Sequence, residues 1–309
     1  MRLRRTSAIA AIAAAVAATT AAVYPSAPAD RLAPMPALTA PGLAARYTAD
    51  AHQITRAASA ASRAGNTGLA RSLDAMRGGQ FLDFNPAGQG VAVEVFGNLA
   101  TATRVAILVP GSDTSLTTFG SRGTASPAGA ARALAARARE LDPHARLAVI
   151  AWLGYLTPST LSPAVMTSGD AGQGADALRP FVEGLVGHGH QVALICHSYG
   201  SVVCGLAAAH LPVTDIAVVG SPGMDAPSVR ALHTTARVWA GRDPGDWIQH
   251  VPHVHFLGLG FGQDPMAPAF GARIFECGSG GHSDYFKPGG IALHNLARIA
   301  IGDSAGVTR

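Results

Sequence analysis

From Arg104 onward the chain alternates between short, wholly apolar runs and longer segments in which apolar residues recur at helical intervals. The runs are RVAILVPG (104–111), RLAVIAWLGY (146–155), QVALICHS (191–198), DIAVVGSPG (215–223) and RVWAGR (237–242), and ARIFECG (272–278) reads as a last strand. Side chains along a strand point alternately to its two faces, so a continuous apolar run implies that both faces are covered. Between the runs, SPAGAARALAARARELD (126–142), ADALRPFVEGLVGHG (175–189), SVVCGLAAAHL (201–211), APSVRALHTT (226–235) and GGIALHNLARIAIGD (289–303) carry helical spacing. Ser126 is placed to cap the first of these with Pro127 in its first turn, whereas Pro180 must kink its helix or lie in its first turn. Strands alternating with helices predict an α/β fold with a mostly parallel central sheet flanked by helices.

Upstream the pattern changes. FLDFNPAGQGVAVEVFG (81–97) predicts two strands around a Pro-Ala-Gly-Gln-Gly turn, with Val91, Val93 and Val95 alternating. Residues 43–77 are Ala-rich with charges at helical intervals and a break at RAGNTG (63–68), which predicts one or two helices. DRLAPMPALTAP (30–41) is Pro-rich and reads as a flexible spacer, and LTPSTLSPAVMTSGDAG (156–172) has no period and reads as a loop or lid. The organisation expected is a signal segment (1–29), a spacer (30–41), an N-terminal helical segment (42–79), one α/β domain (80–303) and a short tail (304–309).

Charge changes this picture only at the start. The formal net charge is +4, and Arg2, Arg4 and Arg5 are the only charged residues before Asp30, so removing 1–29 leaves 4 − 3 = +1. A near-neutral domain has little field with which to hold phosphates, which excludes nucleic acid as the expected partner. MRLRR followed by AIAAIAAAVAATTAAV (8–23) and Ala27-Pro28-Ala29 predicts a cleaved export signal and a secreted protein. Left uncleaved, the segment would anchor the chain to a membrane, although its apolar stretch is dominated by Ala and contains two Thr. Of the three cysteines, Cys196 ends a strand and Cys204 lies in the next helix, so these two are expected to point apart; Cys277 is the third.

Reactive groups in parallel α/β sheets gather where the strands end. Ser198 follows QVALICH, Asp243 and Asp246 follow RVWAG, His282 follows ARIFECGSGG, and Ser112 and Asp113 follow RVAILVPG. A serine hydroxyl is a weak nucleophile and needs an adjacent base, and the base needs a carboxylate to fix its tautomer. The order Ser, Asp, His supplies Ser198 as nucleophile, His282 as base and Asp246 as acid, with Asp243 the rival for the last role. The oxyanion donors would be the N–H of Tyr199 and an N–H near Ser112 and Asp113. CHSYG departs from Gly-x-Ser-x-Gly at Cys196 but keeps Gly200. His197 precedes the serine on the strand, so its ring is expected to point away.

VPGSDT, AWLGY, CHSYGSVVCG, HVHFLGLGFG and GGHSDYFKPGG together resemble the α/β-hydrolase superfamily. They are most similar to a group of secreted bacterial α/β-hydrolases known mainly as a domain of unknown function. The resemblance implies the fold and a triad. Asp246 before Trp247-Ile248 resembles the family's Asp-x-apolar turn. The expected activity is ester hydrolysis through an acyl-enzyme, esterase- or lipase-like, on a small-molecule or lipid ester and with no cofactor. The alternatives are an acyltransferase with the same triad and a non-catalytic binding protein on a hydrolase scaffold. Trp152, Leu153 and Tyr155 are expected to face the cleft and favour an apolar acyl or alkyl group, with core packing the rival role. His250, His253 and His255 lie close together, but no carboxylate pattern or His-Glu-x-x-His accompanies them, and no metal is expected.

Overall fold

In the computed structural model, which describes residues 32–251 and 259–309, two helices precede the sheet: α1 (Ala40–Arg63) and α2 (Thr67–Met76). The expected signal segment, and His253 and His255, lie outside the described residues. Thr39 caps α1 by accepting from the N–H of Gly42 at 3.3 Å, and Asn66 caps α2 by accepting from that of Leu69 at 3.1 Å. Each cap satisfies a donor that the first helical turn leaves without a partner, which explains why the break falls at 64–66.

There follow β1 (Gln80–Asn85), β2 (Val91–Phe96), β3 (Arg104–Val109), α3 (Leu116–Phe119), α4 (Pro127–Leu141), β4 (Leu147–Leu153) and α5 (Gly169–Gly187). The chain continues with β5 (Gln191–His197), α6 (Gly200–Ala207), β6 (Asp215–Val219), β7 (Arg237–Gly241), β8 (Arg273–Ile274) and α7 (Ile291–Ile301). They build one eight-stranded sheet in the order β1-β2-β4-β3-β5-β6-β7-β8. The β1–β2 and β2–β4 pairs are antiparallel, and every pair from β4 to β8 is parallel. This is the α/β-hydrolase architecture that the resemblance implied.

The apolar runs are buried on both sides. Val105, Ile107 and Val109 pack on one face with Leu178 and Val182 of α5 and Val202 and Val203 of α6. Ala106 and Leu108 pack on the other with Leu134 of α4 and Leu296 of α7. Each fully buried branched side chain contributes about 1.5–3 kcal/mol, so the centre of the sheet is a stiff frame. Because β3, β5, β6 and β7 run parallel, their carboxyl ends bring residues 110–113, 198, 220 and 243–246 to one edge.

Several expectations are corrected. The Pro-rich segment 32–38 is docked on the domain: Ala33 N–H donates to Asp83 Oδ2 at 2.7 Å, Arg46 donates to the carbonyls of Pro34 and Leu82 at 3.0 and 2.9 Å, and Leu38 is buried. These anchors come from distant side chains, which local composition does not show. Pro180 does not lie in the first turn of α5 but inside it, because that helix begins earlier than its apolar spacing indicates. Within 226–235 only Val229–Leu232 forms a 3₁₀ turn, which ends where His233 enters the left-handed region (φ 49°). The last strand is shortened to two residues.

Cys196 and Cys204, expected to point apart, form a disulfide with their Cα atoms 6.6 Å from each other, and Cys277 is a buried free thiol. The turn between β5 and α6 is so sharp that the helix folds back along the strand, and its second turn faces the strand's last residues.

Candidate active site

That sharp turn carries Ser198 in the left-handed region, at φ 55°, a conformation that costs a residue with a Cβ about 1–3 kcal/mol. Its N–H is held by the carbonyl of Val219 on the neighbouring strand at 3.0 Å. Two glycines make room for it. A Cβ on Gly200 would lie 2.4 Å from the carbonyl oxygen of Val109 and 2.6 Å from that of Pro110, and one on Gly111 would lie 2.6 Å from Ser198 Cβ. The ends of β3 and β5 therefore interlock at backbone distance, with the serine presented between them.

The structure brings Ser198, His282 and Asp246 together. His282 Nε2 lies 2.9 Å from Ser198 Oγ, and its Nδ1 lies 2.9 and 3.0 Å from the two carboxylate oxygens of Asp246. With Nδ1–H donating to the carboxylate, Nε2 presents its lone pair to the serine hydroxyl. That is the tautomer a base needs. Asp246 is fully buried and caps the 3₁₀ turn Trp247–His250, accepting from the N–H of Ile248 at 2.8 Å. Tyr285 donates its hydroxyl to Oδ2 of the same carboxylate. Burial alone would raise the Asp246 pKa, but the bonds from His282, Tyr285 and Ile248 outweigh it and hold the carboxyl below its ordinary value. Gly220, at φ 57°, leaves space for both partners, since a Cβ there would lie 3.0 Å from Asp246 Oδ2 and 3.1 Å from His282.

The rival, Asp243, does not contact His282. It is buried with Oδ1 lacking a hydrogen-bond partner among the described residues, it faces Gly280, and burial raises its pKa.

Three neighbours of His282 were not assigned from the sequence. Tyr285 lies in the GGHSDYF stretch, but nothing there indicates that its phenol reaches a carboxylate 39 residues earlier in the chain. Trp247 is 52% exposed with its ring 4.7 Å from that of His282. His197 does not point away: its ring lies 4.8 Å from the His282 ring, and its Nε2–H donates to the His282 carbonyl at 2.7 Å. Burial, and then the adjoining His282, push its pKa down to about 4, so it stays neutral and holds the backbone of its neighbour. His197 is the last paired residue of β5 and shares the face of Ile195, and that face is covered by the segment carrying His282, Tyr285 and Phe286, which strand alternation alone does not show.

The oxyanion candidates divide. Gly111 and Ser112 lie against the elbow, but the N–H of Asp113 donates to the carbonyl of Pro158 at 3.0 Å, which removes it from the candidate donors. Its carboxylate accepts from Thr160 N–H and Oγ1 at 3.1 and 2.6 Å.

Trp152, Leu153 and Tyr155 do not line the cleft. Trp152 is 0% exposed and stacks on Tyr155, and Leu153 still belongs to β4, paired with Ala92 of β2. Trp152 and Leu153 are still paired with Val93 and Ala92 of β2, and the stack on Trp152 holds Tyr155 inside with them. Tyr155 acts from behind, donating its hydroxyl to the carbonyl of Pro110 at 2.7 Å.

The segment after it is pinned rather than loose. Thr157 Oγ1 donates to the carbonyl of Thr114 at 2.6 Å and Tyr199 OH to that of Thr167 at 2.6 Å. Tyr199 OH also accepts from Ala171 N–H at 3.2 Å, and Gly260 N–H donates to the carbonyl of Met166 at 3.0 Å. The cleft above Ser198 and His282 has a volume of about 600 Å³, and Ser112, Thr117, Thr124, Ser283 and Trp247 are among its walls.

A family model described as "Alpha/beta hydrolase" matches residues 85–256. Uncharacterized proteins from two strains of Mycobacterium tuberculosis are 32% identical over 248 residues, a match covering 70% of this chain and 37% of theirs. The chain thus spans little more than a third of the length of these relatives. Among solved structures, an α/β serine hydrolase of Xanthomonas campestris described as lacking a lid is 19% identical at a TM-score of 0.43, covering 70% of this chain and 90% of that one. Esterase LipW of Mycobacterium marinum is 15% identical at a TM-score of 0.45, covering 90% of this chain and 97% of that one.

Proposed function

The chain belongs to the α/β-hydrolase family, and from that premise we propose that it is a serine hydrolase acting on carboxylic esters. The observation that carries the reading is the unbroken chain of contacts from a strained, cleft-facing hydroxyl to a buried carboxylate: Ser198 Oγ, His282 Nε2, His282 Nδ1, Asp246.

Ser198 Oγ attacks the acyl carbon while His282 Nε2 takes its proton. Asp246 stabilises the imidazolium, and the N–H groups of Tyr199 and Ser112 receive the charge on the former carbonyl oxygen. Collapse of the tetrahedral species breaks the acyl–oxygen bond, and the departing alcohol takes the proton from His282. Water, deprotonated by the same nitrogen, then attacks the acyl-enzyme and releases the acid and Ser198.

The Cys196–Cys204 bridge supports the expectation of export, because disulfides persist in oxidising compartments. The function is tested with a fluorophosphonate probe and a p-nitrophenyl ester. The wild type is expected to be labelled at Ser198, and Ser198→Ala to lose labelling and at least about 10³-fold in kcat. Retained turnover in a folded Ser198→Ala protein would overturn the reading.

A further inference from the structure

The residues expected to give the cleft an apolar wall are buried elsewhere, and what replaces them is hydroxyl-bearing. The side-chain hydroxyls of Ser112, Thr117, Thr124 and Ser283 border the cleft and form no hydrogen bond to protein among the described residues. Other hydroxyls at the same wall are engaged: Thr114 donates to Gly111, Thr160 to Asp113, and Ser126 to Ser121 and Gly123. The four uncommitted groups are each both donor and acceptor.

Trp247 adds an aromatic surface beside the reacting atoms, half-exposed and next to His282. The purely apolar side chains bordering the cleft are Pro110, Ala125, Pro127 and Ala130, which are short, and Leu108 and Phe286, which are only 2% and 4% exposed. An alkyl tail laid along this wall would strip water from hydroxyls without replacing its hydrogen bonds, whereas a ligand with its own hydroxyls would replace them.

We infer that the cleft takes a short-chain acyl ester of a polyhydroxylated alcohol, a sugar or similar polyol. The alcohol's hydroxyls meet Thr117, Thr124, Ser112 and Ser283, and its C–H face lies on Trp247. The volume of about 600 Å³ accommodates such an alcohol with a small acyl group. A site that hydrogen-bonds substrate hydroxyls discriminates steeply against analogues lacking them. The inference rests on the ester-hydrolase reading above.

The test compares kcat/KM for release of acetate from 6-O-acetylglucose and from hexyl acetate, and of octanoate from p-nitrophenyl octanoate. Acetylglucose is expected to exceed hexyl acetate at least about tenfold, and the octanoate ester to be the poorest of the three. In Thr117→Val/Thr124→Val the ratio of acetylglucose to hexyl acetate is expected to fall about tenfold, and in Trp247→Ala to fall through KM. A wild type that prefers hexyl acetate or the octanoate ester, or a ratio that the double variant leaves unmoved, overturns the inference while Ser198 still labels with fluorophosphonate. Failure to label Ser198 in folded wild type overturns the ester-hydrolase reading itself, and this inference with it.

Discussion

The phenol of Tyr285 donates a hydrogen bond to Oδ2 of Asp246, and both groups are buried. Asp246 therefore meets donors from three separate places: the His282 ring, the Ile248 amide and a side chain from beyond His282 in the chain. Removing the phenolic donor leaves a buried charge less well compensated, at about 1–3 kcal/mol for a bond to an ion.

For Tyr285→Phe we expect that loss in urea unfolding and a fall in kcat of about tenfold with KM little changed. The sign with pH follows from a depressed carboxylate. Its contribution to stability is complete above the ordinary value of 3.8 and is lost as pH falls through the lower folded value. The acid unfolding transition of Tyr285→Phe should move to higher pH, and an unmoved transition would remove Tyr285 from the role.

Glu94 on β2 makes the opposite prediction. It is 4% exposed, its Oε2 has no hydrogen-bond partner among the described residues, and burial, only partly offset by Arg132, pushes its pKa up from 4.5 to about 7. The folded protein holds a proton that the unfolded chain releases near 4.5, so stability falls as pH rises from there to about 7 and does not return above it. Glu94→Gln is expected to gain up to about 3 kcal/mol at alkaline pH, and little at about pH 4. Melting temperatures across that range check it.

The disulfide closes a short loop, separation 8, between strand and helix. Loop-closure entropy assigns such a link about 2.5 kcal/mol. Reducing the wild type, or making Cys196→Ser/Cys204→Ser, should lower stability by about that amount, with reductant having no further effect on the double variant. Alkylation of the unfolded, oxidised protein should modify Cys277 alone.

Gly200→Ala places a Cβ 2.4 Å from one carbonyl oxygen of the β3 end and 2.6 Å from the next, and backbone cannot yield as a side chain does. The elbow must shift, and a displacement of about 1 Å at the reacting oxygen costs on the order of 10²-fold in rate. The expected result is a folded protein with about 10²-fold lower kcat toward a p-nitrophenyl ester.

The sheet is legible in the chain because an unbroken apolar run of strand length is stable only where both of its faces are covered, and Ser198, Asp246 and His282 follow from their places after such runs. The errors have a common physical origin. Trp152 and Leu153 are misplaced into the cleft because the apolar pattern does not say how far β2 continues to pair with β4. Strand-and-helix reasoning separates Cys196 from Cys204 because the tightness of a turn is a property of backbone angles, here the φ of 55° at Ser198. His197 is misread because the segment that covers its face of β5 comes from about 85 residues later in the chain. Tyr285, Asp83 and Arg46 act on partners tens of residues away, and only the folded chain shows those contacts.

Tyr199 joins two functions in one residue. Its backbone follows Ser198 directly, and its hydroxyl bonds Thr167 and Ala171 at the end of the segment bordering the cleft. With Thr157 and Pro158 tied to the loop after β3 as well, that border is fastened at both ends to the pieces that hold the reacting serine and Ser112. It cannot swing aside without dragging the nucleophile out of line. This border is therefore expected to stay in place during turnover, and progress curves should start at full speed, without the lag of an enzyme that must first unlatch a cover.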